Sequence, residues 1–181
     1  AAVATWAVVL SVVATVGAHH PFARFGPANC VTMLRAATVA TVAALLPDPP
    51  SESLAWFVVG ATVGVAALDG LDGWLARRTG LASAFGARFD MEVDALLILV
   101  MSLFVWLHDK AGAWVVLCGV MRYAFVAAGW VLPWMAGPLS PTLRGKTVAV
   151  GQLLGLGVAL APVVPTPASA IVAAITLAAL A

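Results

Sequence analysis

Seven apolar runs, separated by short polar breaks, organise this chain. They cover residues 1–18, 29–46, 54–77, 87–107, 111–132, 147–164 and 167–181. A helix that crosses a bilayer needs about 20 mostly apolar residues, and about 17–25 is tolerated. The last run is short by that measure, and the others are long enough to cross or enter a membrane. Helix breakers sit between them: Pro47, Pro49 and Pro50; the 77–80 turn ending in Gly80; His108 to Lys110; Pro133 to Pro141; and Pro162, Pro165 and Pro167. Proline cannot continue a helix and glycine weakens one, so these positions predict boundaries. The pattern predicts an all-α, polytopic transmembrane helical bundle.

Composition strengthens that expectation. The chain has 181 residues, is 63% hydrophobic and is only 9% charged. Soluble domains average about 25% charged residues, so a separate soluble domain is excluded. Alanine, valine, leucine and glycine dominate, and small residues let membrane helices approach closely. Cys30 and Cys118 lie in apolar runs and form no CxxC pair, which predicts buried thiols rather than a disulfide or a zinc site.

The few charges are sorted by loop. Arg24 follows the first run, Arg77, Arg78 and Arg88 surround the third connection, and Arg144 and Lys146 precede the sixth run. The intervening loops hold Lys110 against Asp48, Glu52 and Asp109. By the positive-inside rule, the first, third and fifth connections face the cytoplasm. Residues 1–18 also resemble a signal-peptide core ending at Val16-Gly17-Ala18, but they lack a basic leading region. Cleavage would leave Arg24 outside, so a retained helix fits the charge pattern better.

Four aspartates then stand out. Asp69 and Asp72 close the third run, while Asp90 and Asp94 open the fourth. Spacings of three and four put each pair on one helix face, and the short connection makes the two helices antiparallel neighbours. Clustered carboxylates near lipid repel one another unless cations neutralise them. An all-oxygen donor set suits Mg²⁺, Mn²⁺ or Ca²⁺, and one or two Mg²⁺ ions holding a diphosphate is the economical reading. Gly70, Gly73, Ala76 and Gly86 clear side-chain bulk around the cluster, and Arg77 can fork onto phosphate oxygens. Two arginines lie inside runs, Arg35 and Arg122. Each reads either as half of an internal ion pair or as a phosphate ligand, with Glu92 and the aspartates as candidate partners for Arg122.

The segment Asp69 to Asp94 matches the pattern D-x2-D-G-x2-A-R-x8-G-x3-D-x3-D at all eight fixed positions, over 26 residues. It resembles the CDP-alcohol phosphotransferase family at that signature. A second stretch, Pro27 to Arg35, is similar to the P-N-x-x-T-x-x-R element of many members, with one extra residue between Pro27 and Asn29. The resemblance implies a six-helix core in residues 27–181, preceded at 1–26 by an extra N-terminal helix and its linker. It further implies transfer of a phosphate-linked group from a CDP-activated donor to an alcohol, with release of CMP. Carried over position by position, Asp69, Asp72, Asp90 and Asp94 would ligate one or two Mg²⁺ or Mn²⁺ ions. Asp94 would also be the catalytic general base. Asn29, Thr32, Asp69, Gly73, Ala76 and Arg77 would bind the CDP donor, while Arg122, Arg144 and Lys146 are candidates for the acceptor. Members are typically homodimers whose site opens to the cytoplasm, here of a bacterial inner membrane, and bind no nucleic acid beyond the cytidine nucleotide.

Two reactions stay open at this point. CDP-diacylglycerol could give a phosphatidyl group to a polar alcohol, or a CDP-headgroup of the choline or ethanolamine type could go to a lipid alcohol. Overall size and Ala/Val-rich composition favour phosphatidyl transfer. Ala95 follows Asp94, and Gln152 lies two positions late after Lys146-Thr147; both depart from members that use glycerol 3-phosphate. Met91 and Glu92 depart from the FDHGxDA form of the choline branch. A divalent-cation transporter is the rival class, but its acidic ladder should continue through the bilayer.

Overall fold

The computed structural model describes residues 26–79, 83–132 and 143–180. Every regular element among them is helical. Six α-helices run in order: α1 (Pro27–Ala44), α2 (Glu52–Thr79), α3 (Ala84–Leu107), α4 (Leu117–Val131), α5 (Leu143–Leu160) and α6 (Thr166–Ala178), with a 3-10 turn at Ala113–Val116. The all-α expectation holds for the described residues. The N-terminal run 1–18, Arg24 and the 133–142 stretch lie outside them.

The chain forms two compact units. One joins the described residues up to Pro49 with Phe57–Leu96; the other joins Pro50–Trp56 with the described residues from Leu97 onward. In the first, Gly26 takes φ 78 before Pro27, a left-handed conformation that suits glycine, and proline's fixed φ starts α1 without wasting an N–H. Helix α1 then buries Asn29, Thr32, Arg35, Ala36, Val39 and Ala40 along one face, the three-to-four spacing of a helical stripe. Cys30 falls off that stripe and is exposed, against the expectation of two buried thiols; Cys118 is buried. Ser83 caps α3 by accepting the Gly86 N–H at 3.0 Å, so the helix begins three residues before the apolar run.

In the second unit, α3 ends in a paired C-cap. The Lys110 N–H bonds to Val105 O and the Asp109 N–H to Trp106 O, with Asp109 at φ 53. Aspartate tolerates this left-handed position better than most side chains. The Lys110 ammonium reaches Val164 O at 2.6 Å and Ala161 O at 3.2 Å, satisfying carbonyls beyond the end of α5. The run 111–132 is therefore no continuous α-helix: it opens with the cap and the 3-10 turn, and α4 starts at Leu117.

Close approach sets where α3 meets α4. A Cβ placed on Gly119 would stand 2.3 Å from the Leu99 Cα and 2.8 Å from its N. Backbone cannot fold aside, so only glycine permits this crossing. Helices α5 and α6 pack similarly: Thr176 donates to Ala173 O at 2.7 Å, and its methyl fills the space beside Gly155. We expect Gly119→Ala to lower stability in detergent by about 1–3 kcal/mol through overpacking. Gly151→Ala, with nothing within 4 Å of its Cβ, should be neutral or stabilising by up to about 1 kcal/mol. Thermal unfolding of both variants decides; equal midpoints would refute the tight crossing.

Candidate active site

Within the first unit, three helices aim polar side chains at one point. Helix α1 supplies Asn29, Thr32 and Arg35; α2 supplies Asp69 and Asp72; α3 supplies Asp90 and Asp94. Arg35 is the centre. It is fully buried, and its two terminal nitrogens reach all four carboxylates. Nη1 lies 3.2 Å from Asp69 Oδ1 and 2.7 Å from Asp72 Oδ2, and it donates to Asp90 Oδ1. Nη2 donates to Asp94 Oδ1 at 2.5 Å. The planar fork of a guanidinium makes this possible; an ammonium offers no such reach in two directions.

Burial is graded across the cluster. Asp72 is the most enclosed, at 6% side-chain exposure, whereas Asp90 and Asp94 keep 28% and 23%. The cluster is thus sealed at Asp72 and open at the α3 carboxylates. Thr32 Oγ1 is 3.0 Å from Asp72 Oδ2 and 3.2 Å from Ala28 O, two acceptors for its one proton. Asn29 is buried alongside, and its Oδ1 would meet a Cβ on Gly86 at 3.0 Å. Gly86 therefore leaves room for Asn29, while Gly70 has nothing within 4 Å of its Cβ position.

One ligand oxygen each from Asp69, Asp72 and Asp90 can be chosen so that all lie within 4.8 Å of one another. Opposite oxygens around Mg²⁺ are about 4.2 Å apart and around Ca²⁺ nearly 5 Å, so these three could hold a metal ion. The guanidinium already stands among them as a cation. Asp94 is not in that group of three; it faces the other nitrogen of Arg35.

The remaining expected site residues divide. Gly73 lies on α2 one residue past Asp72, half-buried. Ala76 and Arg77 continue α2, and Arg144 and Lys146 begin α5, but their side chains lie outside the described residues. Arg78 stacks over Trp74, 4.9 Å from the ring centroid, a cation–π contact one helical turn apart. Arg122 is half-buried on α4, in the second unit. Arg35, which sequence reasoning left undecided between ion pair and phosphate ligand, is an ion-pair partner of all four aspartates. The signal was available: Asn29, Thr32 and Arg35 repeat every three residues and share a face.

The family model for CDP-alcohol phosphatidyltransferases matches residues 25–181. The chain belongs to that family. No solved structure matches it. Membership brings phosphotransfer from a CDP-linked alcohol to the chain that builds this carboxylate cluster.

Replacing Thr32 by valine keeps its shape and removes the donor to Asp72. We expect a loss of about 0.5–1.5 kcal/mol, read as a lower unfolding midpoint, with Thr32→Ser closer to the parent. An unchanged midpoint for Thr32→Val would mean that Ala28 O takes the proton throughout.

Proposed function

We propose that the protein is an integral-membrane phospholipid-synthesis enzyme. It transfers a phosphatidyl group from CDP-diacylglycerol to a polar alcohol and releases CMP. The observation that carries this reading is the meeting of all four signature aspartates on one point in a chain of this family.

Membrane embedding is supported by the surface. Leu34, Phe57, Val63, Leu154, Ile171 and Ile175 are all more than half exposed. The 24-residue stretch Glu52–Leu75 is long and apolar enough to cross a bilayer; at about 1.5 Å per residue it exceeds the roughly 30 Å hydrocarbon core. Among the described residues it alone meets that test, and α4, α5 and α6 are shorter apolar helices. In this reading the site faces the cytoplasm of a bacterial inner membrane, and the protein works as a homodimer.

The proposed chemistry assigns each residue the role that family membership implies for its position. The acceptor hydroxyl attacks the phosphorus that carries diacylglycerol, the P–O bond to CMP breaks, and CMP leaves with the bridging oxygen. Asp94, the carboxylate outside the three-residue group and still partly exposed, takes the hydroxyl proton. Bound Mg²⁺ or Mn²⁺, held by Asp69, Asp72 and Asp90 with Asp94 near a second ion, would neutralise charge on the diphosphate oxygens. Asn29 and Thr32 orient the donor from α1, Gly73 and Ala76 accept the cytidine, and Arg77 forks onto the diphosphate. Arg122, Arg144 and Lys146 are the acceptor candidates. Most of the rate gain is then positioning and fixed charge.

The test is incubation in detergent with CDP-diacylglycerol, Mg²⁺ and a panel of polar alcohols, with lipid products identified by mass. CMP and a new phospholipid should appear, and EDTA should stop both. Asp94→Asn should cut turnover by about 10²–10⁴-fold in a protein that still folds, with a lower unfolding midpoint because Arg35 loses one charged partner. Turnover with CDP-choline and diacylglycerol, but not with CDP-diacylglycerol, would reverse the donor assignment. Metal flux into liposomes without CMP release would replace the enzyme by a transporter.

A further inference from the structure

We propose that Arg35 is a built-in stand-in for the metal. It holds Asp69, Asp72 and Asp90 together at coordinating distance and competes with an incoming ion for those carboxylates. The inference rests on the metal reading above and adds a positioning residue to it.

The geometry carries the argument. Nη1 contacts Asp69 Oδ1, Asp72 Oδ2 and Asp90 Oδ1, and these are the three residues whose ligand atoms lie within 4.8 Å of one another. A divalent ion sits about 2.0–2.6 Å from its oxygen ligands. An ion bound through those three oxygens would overlap the volume of the nitrogen, and two cations would be pressed together. Ion and Nη1 are therefore alternatives.

Arg35 is also trapped. Its side chain is about 1% exposed, so it cannot leave for water when the ion enters, and it must turn within the site. Its Nε is buried with no hydrogen-bond partner: the fork has been placed by the carboxylates at the cost of that donor. Turning away from the three carboxylates around Nη1 offers Nε and Nη1 to whatever anion arrives with the ion, while Nη2 stays by Asp94.

The experiment measures Mn²⁺ binding by the paramagnetic signal of the free ion and thermal unfolding in EDTA or in saturating Mn²⁺. It compares the parent protein with Arg35→Gln and Arg35→Lys, all purified in Mn²⁺ and then exchanged. Arg35→Gln should bind Mn²⁺ at least about tenfold more tightly, because a repelling charge a few ångströms away is gone. It should unfold earlier than the parent in EDTA and recover more on adding Mn²⁺. Arg35→Lys should fall between, since an ammonium is one point charge. If Arg35→Gln does not survive EDTA, a tighter Kd for Arg35→Lys than for the parent carries the same conclusion. Equal or weaker Mn²⁺ binding by both variants overturns the proposal. The metal reading fails separately: the parent would then bind no Mn²⁺, or Asp72→Asn would leave its binding intact.

Discussion

One buried guanidinium shared by four carboxylates governs the first unit of this protein. Bringing four aspartates together without a cation would set like charges a few ångströms apart in a medium far less polarisable than water. Arg35 turns that repulsion into a bonded hub that ties α1 to α2 and α3. Removing one partner of a buried ion pair typically costs about 3–5 kcal/mol, so the hub constrains the helices around it. The local devices nearby serve its register: Gly26 and Pro27 start α1 so that residues 29, 32 and 35 face inward, and the Ser83 cap starts α3 ahead of Asp90.

Much of this was legible in the sequence. The spacings within Asp69–Asp72 and Asp90–Asp94 fix which carboxylates share a helix face, because helical periodicity is local. Helix existence was equally plain, since apolar runs and proline breaks are local signals too. What could not be read was that Arg35 answers all four acids. In the sequence it is one isolated charge in an apolar run. Its role depends on how α1 is rotated against helices that begin 17 or more residues after Arg35, and only long-range packing decides that. Cys30 failed for the same reason: one residue from buried Asn29, it lies just off the buried stripe.

A second group of misreadings comes from hydropathy being blind to backbone angles. The run 111–132 scores as one continuous helix, yet the left-handed Asp109 and the extended Gly112 delay α4 to Leu117. Lys110 counted only as a loop charge when orientation was inferred. Its reach to Ala161 and Val164 gives it a structural task within the second unit, one that a charge count cannot reveal. Glycines divide likewise. Gly119 is needed by the backbone of Leu99, and Gly86 leaves room for Asn29. Neither role follows from residue type alone.

The graded burial of the cluster bears on how such a site can both bind and react. Strong electrostatic leverage on a diphosphate requires exclusion of water, which the enclosed Asp72 end supplies. A hydroxyl acceptor must nevertheless reach the phosphorus and give up a proton, which needs a carboxylate open to it. Asp90 and Asp94 retain that opening, and of the two only Asp94 lies outside the three-oxygen group suited to a cation. A fully buried quartet would bind ions but admit no acceptor, and a fully exposed one would lose its field to water. On the proposed function, the intermediate arrangement separates a holding end from a reacting end within a single set of like residues. Because Asp72 lies seven positions before the end of α2 at Thr79, the holding end sits about 10 Å below the helix terminus. In the proposed reading, that depth leaves the last two turns of α2, where Gly73, Ala76 and Arg77 stand, for the nucleotide rather than for the ions.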